Sequence, residues 1–144
     1  MKHNLILRVV SKFLIPFIFL FALYVQFHGD FGPGGGFQAG VIFSAAIILY
    51  ALVFGVDSAK QIIPPNILRF LASLGVLIYA CTGVASLILG GNYLEYTVLA
   101  STQVAGQHLG ILVVELGVGI TVMSVMLIIF FAFAERGRPL EGNE

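Results

Sequence analysis

The sequence predicts an all-α membrane protein with four transmembrane helices. Hydrophobic residues make up 59% of the 144 residues and charged residues only 10%. A soluble domain covers its core with about a quarter charged residues, so an ordinary soluble globule is excluded. The mean hydropathy of +1.04 equally excludes a disordered chain. The apolar residues fall in four runs, each close to the roughly 20 residues that a helix needs to cross a bilayer. The runs are too long for strands and show no sustained alternation.

The runs cover about 5–27, 37–55, 67–89 and 110–134, which leaves room for a single membrane domain over 1–144 and no separate soluble one. The first resembles a signal peptide at its start, with Lys2, Arg8 and Lys12 ahead of an apolar stretch. Residues 28–33 supply no small-residue cleavage site, so the helix is expected to be retained. Pro16 near its middle removes a backbone hydrogen bond and predicts a kink.

Basic residues set the orientation. Lys2, Arg8 and Lys12 flank the start of the first span, Lys60 and Arg69 the second connection, and Arg136 and Arg138 the end of the fourth. Connections 28–36 and 90–109 contain no Lys or Arg. The positive-inside rule then places both termini in the cytoplasm of a multi-pass protein of the cell inner membrane.

The first outer connection contains Pro33-Gly34-Gly35-Gly36-Phe37 and then Gly40. Consecutive glycines permit positive φ and close backbone approach. They could cradle an anion at a helix start, but a phosphate loop needs Lys and Ser/Thr after its glycines, and Phe37 and Gln38 follow. The run reads as a tight hairpin between two helices. The second connection reads as a short cytoplasmic turn, with Asn66 capping the third helix. In the third, Tyr93 and Tyr96 suit the membrane–water interface, and the uncharged stretch after Glu95 suits packing on the membrane or on a partner.

Small residues line one face of each later span. They are Gly36, Gly40, Ser44, Ala51 and Gly55 in the second, and Gly75, Tyr79, Thr82, Gly83, Ser86 and Gly90 in the third. In the fourth they are Gly110, Gly117, Thr121 and Ser124, with Gly106 ahead. Such faces bring helices together in lipid. Three of them exceed what one small bundle needs and point to a subunit packed among other membrane helices.

Glu115 is the one carboxylate well inside a span, and an acid there must be paired, neutral or hydrated. His108, seven residues earlier, shares its face if the helix starts early. The two read either as stations for a proton or cation, or as structural groups near the outer surface. Arg8 and Lys12 read as snorkelling anchors. The zero net charge argues against nucleic-acid binding. Cys81 is the only cysteine, and His3, His28 and His108 are scattered. No metal or cofactor site is expected from that spacing.

Pro33-Gly34-Gly35-Gly36-Phe37-Gln38-Ala39-Gly40, set between the first two of four spans, resembles the MnhB/MrpB family. These are the B subunits of the multi-subunit Mrp (Mnh, Pha) cation/proton antiporters, and the resemblance extends over nearly the whole chain. It implies an accessory subunit with no catalytic centre of its own, not an enzyme. It also implies Na+ and H+ as the ions of the complex, and as partners the large A and D subunits and the small C, E, F and G subunits. Two other readings stand beside it. One is the equivalent subunit of a redox-driven ion pump of the hydrogenase or sulfur-reductase type. The other is a stand-alone small transporter, which would need more polar groups at mid-membrane.

Overall fold

The structure, a computed structural model, describes residues 5–29 and 32–136. Lys2, His3, Asp30, Phe31 and Arg138 lie outside the described residues. The elements are α1 (Leu5–His28), α2 (Gly36–Phe54), α3 (Val56–Ile62), α4 (Pro65–Ile88), a 3₁₀ turn (Tyr96–Val98) and α5 (Gln103–Arg136). Four of these helices, α1, α2, α4 and α5, are long and apolar enough to span a membrane.

Three boundaries differ from the sequence reading, each for a local reason. The second connection is not a plain turn: α2 ends at Phe54 because the next residue, Gly55, has a φ of +105° that breaks the helix, and the chain resumes at once as α3. α4 starts at Pro65, a favoured first helical residue because proline has no N–H to leave unpaired. Asn66 therefore lies inside the first turn and is not the cap. α5 starts at Gln103, seven residues before Gly110. The Thr102 hydroxyl accepts the Ala105 N–H at 3.3 Å and caps this polar first turn. Hydropathy marks where a run is apolar, and this helix extends beyond its apolar part.

The spans stand in the order α1, α2, α5, α4. α5 packs broadly against α2 on one side and α4 on the other, while α1 packs on α2 and meets α5 only lightly. Small residues make these seams. A β-carbon on Gly40 would lie 2.6 Å from the Gly119 carbonyl oxygen, and one on Gly75 would lie 2.5 Å from that of Gly117. The hydroxyls of Ser44, Thr82, Ser86, Thr121 and Ser124 donate to carbonyls three or four residues back in their own helices. They pack as small residues with their polarity satisfied. The three small-residue faces are thus matched within the chain, and do not by themselves call for outside helices. Gly55 and Gly90 take no part, since nothing lies near the β-carbon either would carry. Large apolar side chains are what faces outward, above all on α1, where Leu5, Ile6, Phe13 and Leu20 are exposed.

Among the described residues, Arg8, Lys12, Lys60, Arg69 and Arg136 all belong to the end where α1 and α4 begin and α2 and α5 finish. There Lys60 of α3 pairs with Glu135 of α5, and its Nζ lies 5.7 Å from the centre of the Phe131 ring. An apolar cluster of Ile47, Ala51, Ala59, Leu68, Leu127 and Phe131 fills this end.

At the opposite end the connection after α4 folds back onto its own helices. The Tyr93 ring covers Gly83, and the Tyr96 ring covers Gly110. The Glu95 carboxylate accepts the Asn92 backbone and side-chain N–H groups at 2.8 and 2.9 Å and the Thr97 hydroxyl at 3.2 Å. These donors hold its carboxyl below the usual carboxylate range, the Asn92 backbone N–H foremost. Each tyrosine thus packs one side of its ring on a helix glycine, and Tyr93 stays exposed on the other.

Candidate functional site

The 28–36 connection turns tightly because glycine permits it. The Gly32 N–H donates to the His28 carbonyl, and the Gly35 N–H to that of Val25, each at 3.1 Å. Gly35 has φ +120° and ψ 173°, a conformation that is essentially glycine's alone. A β-carbon on Gly34 would sit 2.7 Å from the Val25 carbonyl oxygen. The hairpin is thereby pressed onto the last turn of α1, and α2 begins directly beneath it.

Glu115 of α5 lies in the concave side of this hairpin. A β-carbon on Gly29 would come 2.7 Å from its Oε2, and one on Gly35 would come 3.0 Å from its Oε1. A β-carbon on Gly36 would strike the Glu115 backbone carbonyl. Three glycines therefore make room for one acid, two around its carboxylate and one against its backbone. Glu115 is half-buried and makes contacts within the protein. Gln38 reaches the same spot, its Oε1 standing 3.4 Å from where a Gly35 β-carbon would be.

Gln26, on the last turn of α1, completes the arrangement. It is 4% exposed, and its Nε2 has no hydrogen-bond partner among the described residues. Its Oε1 would lie 2.6 Å from a β-carbon on Gly119, one turn beyond Glu115 on α5. It also lines a cleft of about 230 Å³ with Leu23, Phe43, Leu116 and Met123. A buried unpaired amide costs about 1–3 kcal/mol, so a second use for this group is indicated.

Of the residues singled out from sequence, Gly34, Gly35, Gly36 and Glu115 come together. Gly40 lies one turn below Gly36, buried in the α2–α5 seam. Pro33 and Phe37 are exposed on the outer side, Phe37 at 61%. α5 does start early enough to put His108 on the Glu115 face, but His108 is exposed and lies roughly 10 Å further along the helix. Gln26 escaped the sequence reading. Its signal was an amide inside an otherwise apolar run, one turn before the glycine-rich segment.

Among the described residues no three His, Cys, Asp or Glu side chains group to hold a metal ion. The cluster offers one carboxylate, two carboxamides and backbone carbonyls. Such oxygen donors suit a proton or a hard cation better than a soft metal.

Residues 6–128 match the family described as a domain related to the MnhB subunit of Na+/H+ antiporter. The chain belongs to the MnhB family. It is 30% identical over 134 residues to the Na(+)/H(+) antiporter B subunit of Bacillus subtilis (strain 168), covering 86% of this chain and 93% of that protein. It is 35% identical over 134 residues to the antiporter subunit mnhB2 of Staphylococcus aureus (strain Newman), covering 85% and 94%. Each match extends over nearly the full length of both proteins. The glycine hairpin, the Glu115 seat and all three helix seams fall inside the matched region of this MnhB-family chain.

Proposed function

We propose that this chain is the B subunit of a multi-subunit Na+/H+ antiporter, an accessory membrane subunit with no catalytic centre of its own. The full-length match to antiporter B subunits carries this reading. Large A and D subunits and small C, E, F and G subunits are its partners in the plasma membrane. Both termini face the cytoplasm, a reading supported by the basic residues gathered at one end. A reporter fused at Glu144 should then be active on the cytoplasmic side and one in the 92–102 stretch on the outer side. The reverse pattern would overturn the orientation.

Within that subunit, Glu115 borders a cation or proton route at the hairpin end, shared with neighbouring subunits. A charged contact contributes about 1.5–3 kcal/mol, so Glu115→Gln should lower antiport or raise the apparent KM for the cation about tenfold while assembly is kept. Glu115→Ala should also impair assembly, because it leaves a void against Gly29 and Gly35. Cation-driven pH change in inverted vesicles, normalised to assembled complex, measures both. Unchanged kinetics in Glu115→Gln would end the route and leave a structural acid. Purification in mild detergent tests membership of the complex, since a stand-alone carrier would bring no large antiporter subunits with it.

A further inference from the structure

The basic end holds a second feature that the hairpin site does not use. Arg8, Lys12, Ile15 and Phe19 follow one another at spacings of four, three and four, so they form one stripe along α1. The first two point at the same ring. The Arg8 guanidinium carbon lies 5.2 Å from the centre of Phe54 and the Lys12 Nζ lies 5.6 Å from it. Phe54 in turn stacks on Tyr50 at 4.7 Å. Below these rings an apolar groove of about 160 Å³ opens between α1, α2 and α3, lined by Ile15, Phe19, Ile47, Tyr50, Ala59 and Ile62. The Phe19–Phe43 ring pair, 5.8 Å apart, lies at its far end. The feature is therefore a slot with two cations at its mouth and hydrocarbon-like walls.

Arg8 and Lys12 thus bring two positive charges to this mouth. The ion pair at this end is Lys60–Glu135, and it involves neither Arg8 nor Lys12. α3 also carries Asp57, which is exposed. Two cations held together on one ring repel each other unless an anion lies between them. A groove that is apolar along its length and cationic at its mouth complements one kind of molecule, an amphiphile with an anionic head and a hydrocarbon tail. We propose that the α1–α2–α3 groove is a binding site for an anionic phospholipid. One acyl chain fills the slot down to Phe19, and the phosphate lies between Arg8 and Lys12. Arg8 and Lys12 are then ligands for the headgroup and more than anchors snorkelling to the interface.

The chain contains no tryptophan, so a single introduced indole reports on the groove alone. Phe19→Trp in the full chain, reconstituted in phosphatidylcholine vesicles, is titrated with acyl-brominated phosphatidylglycerol or acyl-brominated phosphatidylcholine. Brominated phosphatidylglycerol should quench at a mole fraction about tenfold lower, given the attraction of two basic groups for an anionic head. Adding Arg8→Gln and Lys12→Gln should abolish the difference. Phe133→Trp, on the exposed face of α5, should show none. Equal quenching by the two lipids, a preference that survives the double substitution, or the same preference at Phe133→Trp would each overturn the site. So would an unquenched indole, which would mean that protein fills the slot. Should Phe19→Trp misfold, Ile62→Trp on the opposite wall reads the same outcomes.

Discussion

The two ends of this helix array are held together by opposite means. At the hairpin end, backbone meets backbone and a carboxylate, with glycine at every close approach: Gly29, Gly35 and Gly36 around Glu115, Gly40 on Gly119. At the basic end, side chains meet side chains: Lys60 on Glu135 and Phe131, Arg8 and Lys12 on Phe54, and an apolar cluster around Leu68 and Leu127. Contacts of the first kind have no slack, because an added methyl has nowhere to go. Those of the second kind are individually small and adjustable. The first arrangement suits a site that must hold one acid in one place, and the second suits an anchor against a fluid lipid surface.

That contrast can be broken most forcefully at Gly36. Gly36→Val drives a branched side chain into the Glu115 backbone carbonyl. It should destabilise the protein by about 3 kcal/mol or prevent its accumulation, since overpacking cannot relax between two helix backbones. Thermal unfolding in detergent and the yield of assembled complex measure this. A stable, assembled Gly36→Val protein would show the hairpin end to be looser than its geometry indicates.

A smaller effect of opposite sign is expected at Gln26. Replacing the unpaired buried amide by leucine removes a desolvation cost, so Gln26→Leu should raise stability by about 1 kcal/mol. Antiport should fall in the same variant if the amide serves the Glu115 site. A stability gain with unchanged antiport would make Gln26 a mere packing imperfection.

At the basic end, Lys60→Met should cost less than about 1 kcal/mol, since Glu135 is largely exposed and such pairs contribute little. A loss as large as that of Gly36→Val would remove the distinction between the ends.

The least effect belongs to the connection between α4 and α5 and is read by pH. The Glu95 carboxyl is lower in the folded protein than its ordinary value, chiefly through the Asn92 backbone N–H. Its contribution is fully present above that ordinary value and is lost as pH falls through the lower folded value. The protection factor of the Asn92 amide should drop in that acid window while those within α4 and α5 hold. In Glu95→Gln the drop should be absent.

Much of this architecture was legible in the sequence. Four spans follow from the length of the apolar runs, because lipid leaves a spanning segment little choice but to be a helix. The gathering of basic residues at one end and the small-residue faces are likewise properties of spacing along the chain. The partners of those faces were not legible: Gly40 meets Gly119 and Gly75 meets Gly117 only because α5 lies between α2 and α4. Nor did hydropathy reveal α3 or the polar start of α5, which depend on a backbone break at Gly55 and on capping by Thr102. Glu115 and the glycine run were each conspicuous alone, some 80 residues apart, yet nothing in their spacing joined them. Tertiary packing did so, by pressing Gly29, Gly35 and Gly36 onto the one acid that needed a place within the membrane. It also brought in Gln26, because contact across helices depends on depth and rotation, which one-dimensional spacing does not carry.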